Sequence, residues 1–199
     1  MIVIPIINAI MNSITYILTT DRVDYCDLID CGYSEELIPT LKKIGKKINN
    51  VYLTHAHYDH IYGLNTLISN YPNVLVYTNE EARLALFDVK KNFSKYHPEL
   101  EPFIFQYIDN VRILNEGEKE IFETERMQVL FTPGHDVTCF SYIIGNKLFT
   151  GDTYIPGIKT VVSFPRSNRK DAIISLERLK ALENKGYEIC PGHILPKTK

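Results

Sequence analysis

Thr54-His55-Ala56-His57-Tyr58-Asp59-His60 sets three imidazoles and a carboxylate within seven residues, behind a short apolar run at 51–54 that reads as a buried strand. On an extended stretch, side chains at i and i+2 point the same way, so His55 and His57 can address one cation. Asp59 and His60, at the turn into a helix, point toward a neighbouring position. The spacing therefore provides two adjacent metal pockets. Imidazole nitrogen with carboxylate oxygen suits zinc first, and also iron or manganese; an all-oxygen magnesium or calcium site would not use so many histidines.

The rest of the chain supplies further ligands of the same kind. It holds six histidines, and five stand at strand ends in short polar clusters. Besides the three above, His135 lies in Pro133-Gly134-His135-Asp136 and His193 in Pro191-Gly192-His193. In each, Pro fixes the approach and Gly lets the backbone turn sharply, which aims the next side chain off the end of a strand. Asp152, in Thr150-Gly151-Asp152-Thr153, closes another strand in the same way.

Around these motifs the hydrophobic pattern predicts strands at 2–7, 13–18, 25–30, 51–54 and 74–77, and, in the second half, at 111–114, 127–131, 140–144, 147–149 and 187–190. Gly145-Asn146 is a hairpin turn. Leu37, Leu41, Ile44 and Ile48 form one stripe of a helix entered at Ser34 with two glutamates behind it. Further helices are expected over 61–70, over 79–87 with Asn79 as cap, and from Asn168 through Glu183. Strands followed by a helix, twice over, imply an α+β fold of two mixed sheets packed face to face with helices outside.

At 199 residues and 45% apolar content, the chain is read as one domain spanning 1–199. A net charge of −2 argues against a dedicated nucleic-acid binder and against disorder. The apolar opening, 1–11, lacks a basic lead-in, contains Pro5 and Asn8, and is too short to span a bilayer. It is read as the first strand of a cytoplasmic chain with no membrane partner. The four cysteines show no C-x-x-C spacing and are expected reduced and buried. A small-molecule substrate is the expected partner, and the sequence is compatible with a homo-oligomer.

Together, the H-x-H-x-D-H cluster, the two Pro-Gly-His turns, Asp152 and the Ile29-Asp30-Cys31-Gly32 turn closely resemble the metallo-β-lactamase superfamily, particularly its glyoxalase II-like hydrolases. The resemblance implies a four-layer αβ/βα sandwich with the metals at one edge between the sheets. It implies His55, His57 and His135 as ligands of a first metal, Asp59, His60 and His193 of a second, and Asp152 as the carboxylate bridging both. Two departures narrow it. Secreted zinc β-lactamases of the common type carry a cysteine where this chain has Asp152, and glyoxalase II enzymes proper continue into a helical extension, whereas this chain ends six residues after His193.

Two divalent cations about 3.5–4 Å apart can share a water, lower its pKa from 15.7 toward about 7, and present the hydroxide to a carbonyl or phosphoryl group. The expected activity is hydrolysis of an ester, thioester or lactone by that bridging hydroxide, with Asp59 and Asp152 as catalytic carboxylates and Asp59 the better placed to receive a proton. A metal-dependent phosphodiesterase or small nuclease is the second class, since His60-Ile61-Tyr62-Gly63-Leu64 resembles a segment of transfer-RNA-processing members. A non-catalytic binding module or a flavin-linked di-iron reductase is a third; the reductases place Glu at the second His of the cluster.

Asp30 and Asp136 are candidates for fixing imidazole tautomers. The aromatic stretch 88–110, with Phe93, Tyr96, His97, Phe103, Phe105 and Tyr107, is either a lid or a satellite cluster packed on the sandwich, and His97 is expected to face solvent. Tyr154, Lys159 and Arg166 stand where a substrate anion or oxyanion could be met, the alternative being simple surface residues. The Lys42-Lys43 and Lys46-Lys47 pairs belong to the polar side of a helix.

Overall fold

The computed structural model describes residues 1–122 and 125–194. Its first sheet has six strands in sequence order: β1 (Ile2–Ile7), β2 (Ile14–Thr19), β3 (Tyr25–Ile29), β4 (Lys47–Tyr52), β5 (Leu75–Thr78) and β6 (Val111–Ile113). β1 to β3 form an antiparallel meander, and β3 to β6 run parallel. Parallel neighbours need crossovers, usually helical. These are α1 (Leu37–Ile44), the pair α2 (Tyr58–Ile61) and α3 (Leu64–Asn70), and α4 (Glu80–Leu86).

The second sheet has five strands in the order β11, β10, β9, β8, β7. They are β7 (Gly117–Ile121), β8 (Glu125–Phe131), β9 (Phe140–Ile144), β10 (Lys147–Gly151) and β11 (Glu188–Pro191). β7 to β10 are antiparallel. α5 (Arg169–Glu183) returns the chain so that β11 joins β10 in parallel.

The strand period of two sorts side chains between layers. Ile17, Leu28, Val51 and Val76 face Leu41, Leu64 and Leu67 of the helices. Leu18, Ile29 and Tyr52 meet Val129, Tyr142, Ile144 and Phe149 between the sheets. Leu130, Ile143 and Leu148 pack on Leu179 of α5. The result is the four-layer αβ/βα sandwich implied above. All four cysteines are buried and unpaired, as expected. Among the described residues, no helix is long and apolar enough to cross a membrane.

The local differences have physical causes. The helix expected from Ser34 through Ile48 spans only Leu37–Ile44, because Gly45 takes a left-handed φ of 71° and ends it; Ile48 belongs to β4. Ser34 is not its cap: its hydroxyl accepts from Glu36 N in the preceding turn. The helix expected over 61–70 is broken at Tyr62-Gly63, where the chain presses on the β3–α1 loop. A Cβ at Gly63 would lie 2.3 Å from the Gly32 carbonyl oxygen. β7 reads Gly-Glu-Lys-Glu-Ile; as an edge strand with an exposed face it lacks the apolar alternation that reveals a strand. The two expected caps are present: Asn79 accepts from Ala82 N, and Asn168 from Lys170 N and Asp171 N.

Candidate metal centre

Strand ends at one edge of the sandwich deliver the polar side chains. His55 and His57 follow β4, Asp59 and His60 lie in α2, His135 follows β8, Asp152 follows β10, and His193 follows β11. The structure brings all seven together. His55, His57 and His135 form one group, His55, His60 and Asp152 a second, and Asp59, His60 and His193 a third, with the ligand atoms of each group within 4.8 Å of one another.

Asp152 sits in the middle. Its Oδ1 is 3.4 Å from His60 Nε2, and its Oδ2 is 3.2 Å from His193 Nε2 and 3.6 Å from His135 Nε2. Gly192 makes this approach possible, since a Cβ there would stand 2.2 Å from Asp152 Oδ1.

Outward hydrogen bonds decide which ring nitrogen faces inward. His60 Nδ1–H donates to Asp30 Oδ2 (2.8 Å), His135 Nδ1–H to the Val161 carbonyl (3.0 Å), and His193 Nδ1–H to the Met11 carbonyl (3.0 Å). The Thr54 hydroxyl spends its proton on Asp30 Oδ2 (2.7 Å), so at 3.1 Å it accepts from His55 Nδ1–H. Each of these rings therefore turns its Nε2 to the centre. His57 turns the other way, with Nε2 3.5 Å from Asp136 Oδ2 and Nδ1 inward. The inward nitrogens crowd one another: His57 Nδ1 is 3.1 Å from His135 Nε2, and His60 Nε2 is 3.2 Å from His193 Nε2. His55 Nε2 and Asp152 Oδ1 are buried without a hydrogen-bond partner. Buried polar atoms are normally paired, so unpartnered ring and carboxylate atoms converging on one point fit cations.

The electrostatics divide the rings: burial opposes charge on His60, but Asp59, Asp152 and Asp30 hold it well above its ordinary value, so positive charge is favoured there. Burial and the neighbouring imidazoles hold His55 well below its ordinary value, in the neutral form a metal needs. Burial works against charge on Asp152, but His60 and His193 hold its carboxyl well below the usual range. Burial also opposes charge on His193, yet hydrogen bonds to Asp152 and Asp59 push it up to about 9. The site draws positive charge to itself.

Of the two carboxylates expected to fix tautomers, Asp30 also accepts from Thr54 N (2.7 Å), so it ties two ligand-bearing segments together. Asp136 accepts from Thr138 N and faces both His57 and Arg166 Nε (3.5 Å). The stretch 88–110 divides: Phe93, Tyr96 and His97 line the cleft over the centre, while Phe103 and Phe105 are buried in the helix-side core. His97 stands outside the ligand groups, with its side chain 31% exposed and its ring against Tyr58, centroids 4.1 Å apart.

The three residues considered for anion contact fare differently. Tyr154 is packed beneath α5 and donates to Glu183 (2.7 Å). Arg166 is held by Asp136 and Glu81. Lys159 borders a small adjoining cavity that His135, Asp152 and Val161 also line, so it stands beside the centre. Sequence reasoning missed Met11, Val161, Phe164 and Pro165, which complete the cleft walls. Nothing local in their sequence marks them, because three distant loops meet there.

The sequence model of the metallo-β-lactamase superfamily matches residues 11–193, and the chain belongs to that superfamily. Among particular relatives, a hydroxyacylglutathione hydrolase of Buchnera aphidicola subsp. Schizaphis graminum is 29% identical over 151 residues, 76% of this chain and 51% of that protein. A probable metallo-hydrolase of Streptococcus pyogenes serotype M6 is 29% identical over 199 residues, 94% of this chain and 81% of that protein. The chain thus spans about half the length of the hydroxyacylglutathione hydrolase it matches. The fold is shared with the B3 metallo-β-lactamase BLEG-1 (TM-score 0.84, 22% identity, 98% of this chain and 92% of that one). It is also shared with TTHA1623, solved in a di-iron-bound form (TM-score 0.80, 24% identity, 98% and 94%).

Proposed function

We propose that this chain is a metal-dependent hydrolase of an ester, thioester or lactone, and that its seven converging side chains hold two divalent cations. The observation that carries this reading is the convergence of the seven side chains around Asp152, their ligand atoms falling into three groups each within 4.8 Å. His55, His57 and His135 would hold one cation, Asp59, His60 and His193 the other, and Asp152 would serve both. Zinc is the leading ion for this donor set, with iron or manganese as substitutes. A relative in Bacillus subtilis is described as a probable zinc-dependent hydrolase of polyketide biosynthesis, and the di-iron neighbour supports the wider range.

When bound, such cations supply Lewis-acid polarisation of a carbonyl and acidify water. The protein does the remainder. Asp152, kept ionised by its neighbours, offsets charge at the centre. Asp59 lines the cleft and is assigned to take up, at a carboxylate oxygen, the proton released as water adds to the acyl carbon. The C–S or C–O bond then breaks, and the thiol or alcohol leaves with a proton. Both sheets contribute ligands, which favours treating 1–199 as one unit; the buried, unpaired cysteines favour a cytoplasmic enzyme.

Protein expressed in metal-replete medium and purified without chelators should carry about two transition ions per chain by mass spectrometry. It should also hydrolyse members of a panel of thioesters, lactones and esters. A metal content near zero would refute the site. Turnover confined to phosphodiesters would replace the acyl reading with the phosphoryl one.

A further inference from the structure

The cleft above the centre has a volume of about 630 Å³, enough for a substrate of drug-like size. Its floor is polar: His57, Asp59, His135, Asp152 and His193. Its walls are Met11, Tyr58, Phe93, Tyr96, Val161, Phe164 and Pro165, with His97 at one side. Among the described residues, no Lys or Arg lines it. Of the cations near it in sequence, Arg166 faces Asp136 and Glu81, Lys95 beside Tyr96 is exposed, and Lys159 borders the adjoining small cavity rather than this cleft. Glu99 stands at the side of His97, 3.0 Å from its Nδ1, and adds negative charge near the rim.

The aromatic wall is joined across two loops. The Phe93 and Phe164 rings lie 5.2 Å apart, and both stand edge-on to His57, at 4.7 and 5.5 Å. Apolar side chains here remain open to solvent, with Met11 63%, Tyr96 58% and Phe164 38% exposed. Contiguous exposed apolar surface around a polar floor marks a place that something apolar covers.

Backbone strain collects at the same place. Met11 and Phe93 have left-handed φ values of 55° and 66°, a conformation that costs a bulky side chain and persists only where the surroundings impose it. At Phe93 the surroundings are a buried Asn92, whose side chain donates to the Ala85 and Phe103 carbonyls and accepts from Ser94 N. At Met11 the carbonyl is engaged by His193.

Resting on the acyl-hydrolase reading above, we infer that the substrate is uncharged and apolar beyond its reacting group. It seats an aromatic or branched alkyl portion against the Phe93–Phe164 wall, and anionic conjugates such as carboxylate-bearing peptide thioesters are disfavoured. With the reacting group engaged at the floor, an anionic remainder would lie along walls that hold no Lys or Arg and near Glu99, with its charge partly desolvated. An apolar group gains by covering exposed rings.

The test pairs one acyl group, phenylacetyl, on a neutral thiol (N-acetylcysteamine) and on an anionic one (glutathione), with acetyl thioesters of both as controls. Binding of the matching non-hydrolysable amides to the same metal-replete protein is measured by calorimetry. The neutral phenylacetyl thioester should show the highest kcat/KM, about tenfold above its glutathione counterpart. Phe93→Gly, which suits the left-handed backbone, and Phe164→Ala, at a partly exposed site, should each raise its KM and weaken the neutral amide about tenfold. Preference for the glutathione thioester, or amide affinity unchanged in both variants, would overturn the inference. Absence of hydrolysis across the panel would instead refute the acyl-hydrolase reading. The amide titration would still decide the ligand class: tight, variant-sensitive binding of the neutral amide upholds it, and absence of binding overturns it.

Discussion

Asp30 does the work of several residues. It stands in a left-handed backbone conformation at the end of β3, accepts from His60 Nδ1–H, and holds Thr54, which in turn holds His55. Removing it releases the tautomers of two proposed ligands at once. Asp30→Ala should therefore weaken ion binding about 10–100-fold, as read by competition with a chromogenic chelator. A second carboxylate on the same strand behaves differently. Asp27 is buried with one oxygen unpartnered, and burial pushes its carboxyl up to about 7 even though Asn50 donates to it. The folded protein thus retains a proton that the unfolded chain releases near its ordinary value of about 3.9. Its contribution to stability falls as pH rises from about 4 through about 7. Urea unfolding should show the loss over that window, and Asp27→Asn should flatten it.

At the scale of elements, the break between α2 and α3 determines whether the cluster can form. One uninterrupted helix from Tyr58 onward could not bring Gly63 N to within 2.9 Å of the Cys31 carbonyl, nor set α2 so that Cys31 N meets the His60 carbonyl at 2.8 Å. Gly63→Ala drives a methyl group into backbone and should cost about 1–3 kcal/mol in chemical denaturation, with His60 displaced. The amphipathic stripe of α1, the two asparagine caps and the Gly-Asn hairpin were legible from sequence because each is a local device, satisfied within a few residues. The α2–α3 break and strand β7 were not. The first is imposed by a carbonyl about thirty residues away in the chain, and the second is an edge strand whose pairing, not its composition, makes it a strand.

For the molecule as a whole, the centre is a joint between the two sheets. His55, His57, Asp59 and His60 come from the first, and His135, Asp152 and His193 from the second. Ions bound there would stabilise the folded state over the unfolded one, by about 2.7 kcal/mol at a hundredfold excess over Kd. Chelation should lower Tm by about 5 °C or more, and adding zinc back should restore it; scanning calorimetry checks this. An unchanged Tm in stripped protein would mean that the sheets meet without help from metal.

The primary structure by itself determined the donor set and its order along the chain. Histidines two apart on extended backbone and ligands placed after Pro-Gly turns are chemistry written in short range. It also determined the layering, because strands followed by a helix, twice over, leave two sheets that helices must cover. Only the tertiary structure decided that these ends share one edge, which nitrogen of each ring faces inward, that Tyr154 and Arg166 are engaged elsewhere, and that Met11, Phe93 and Phe164 wall one cleft. Those outcomes depend on contacts between residues far apart in the chain, whose energies arise only once the two sheets have closed on each other.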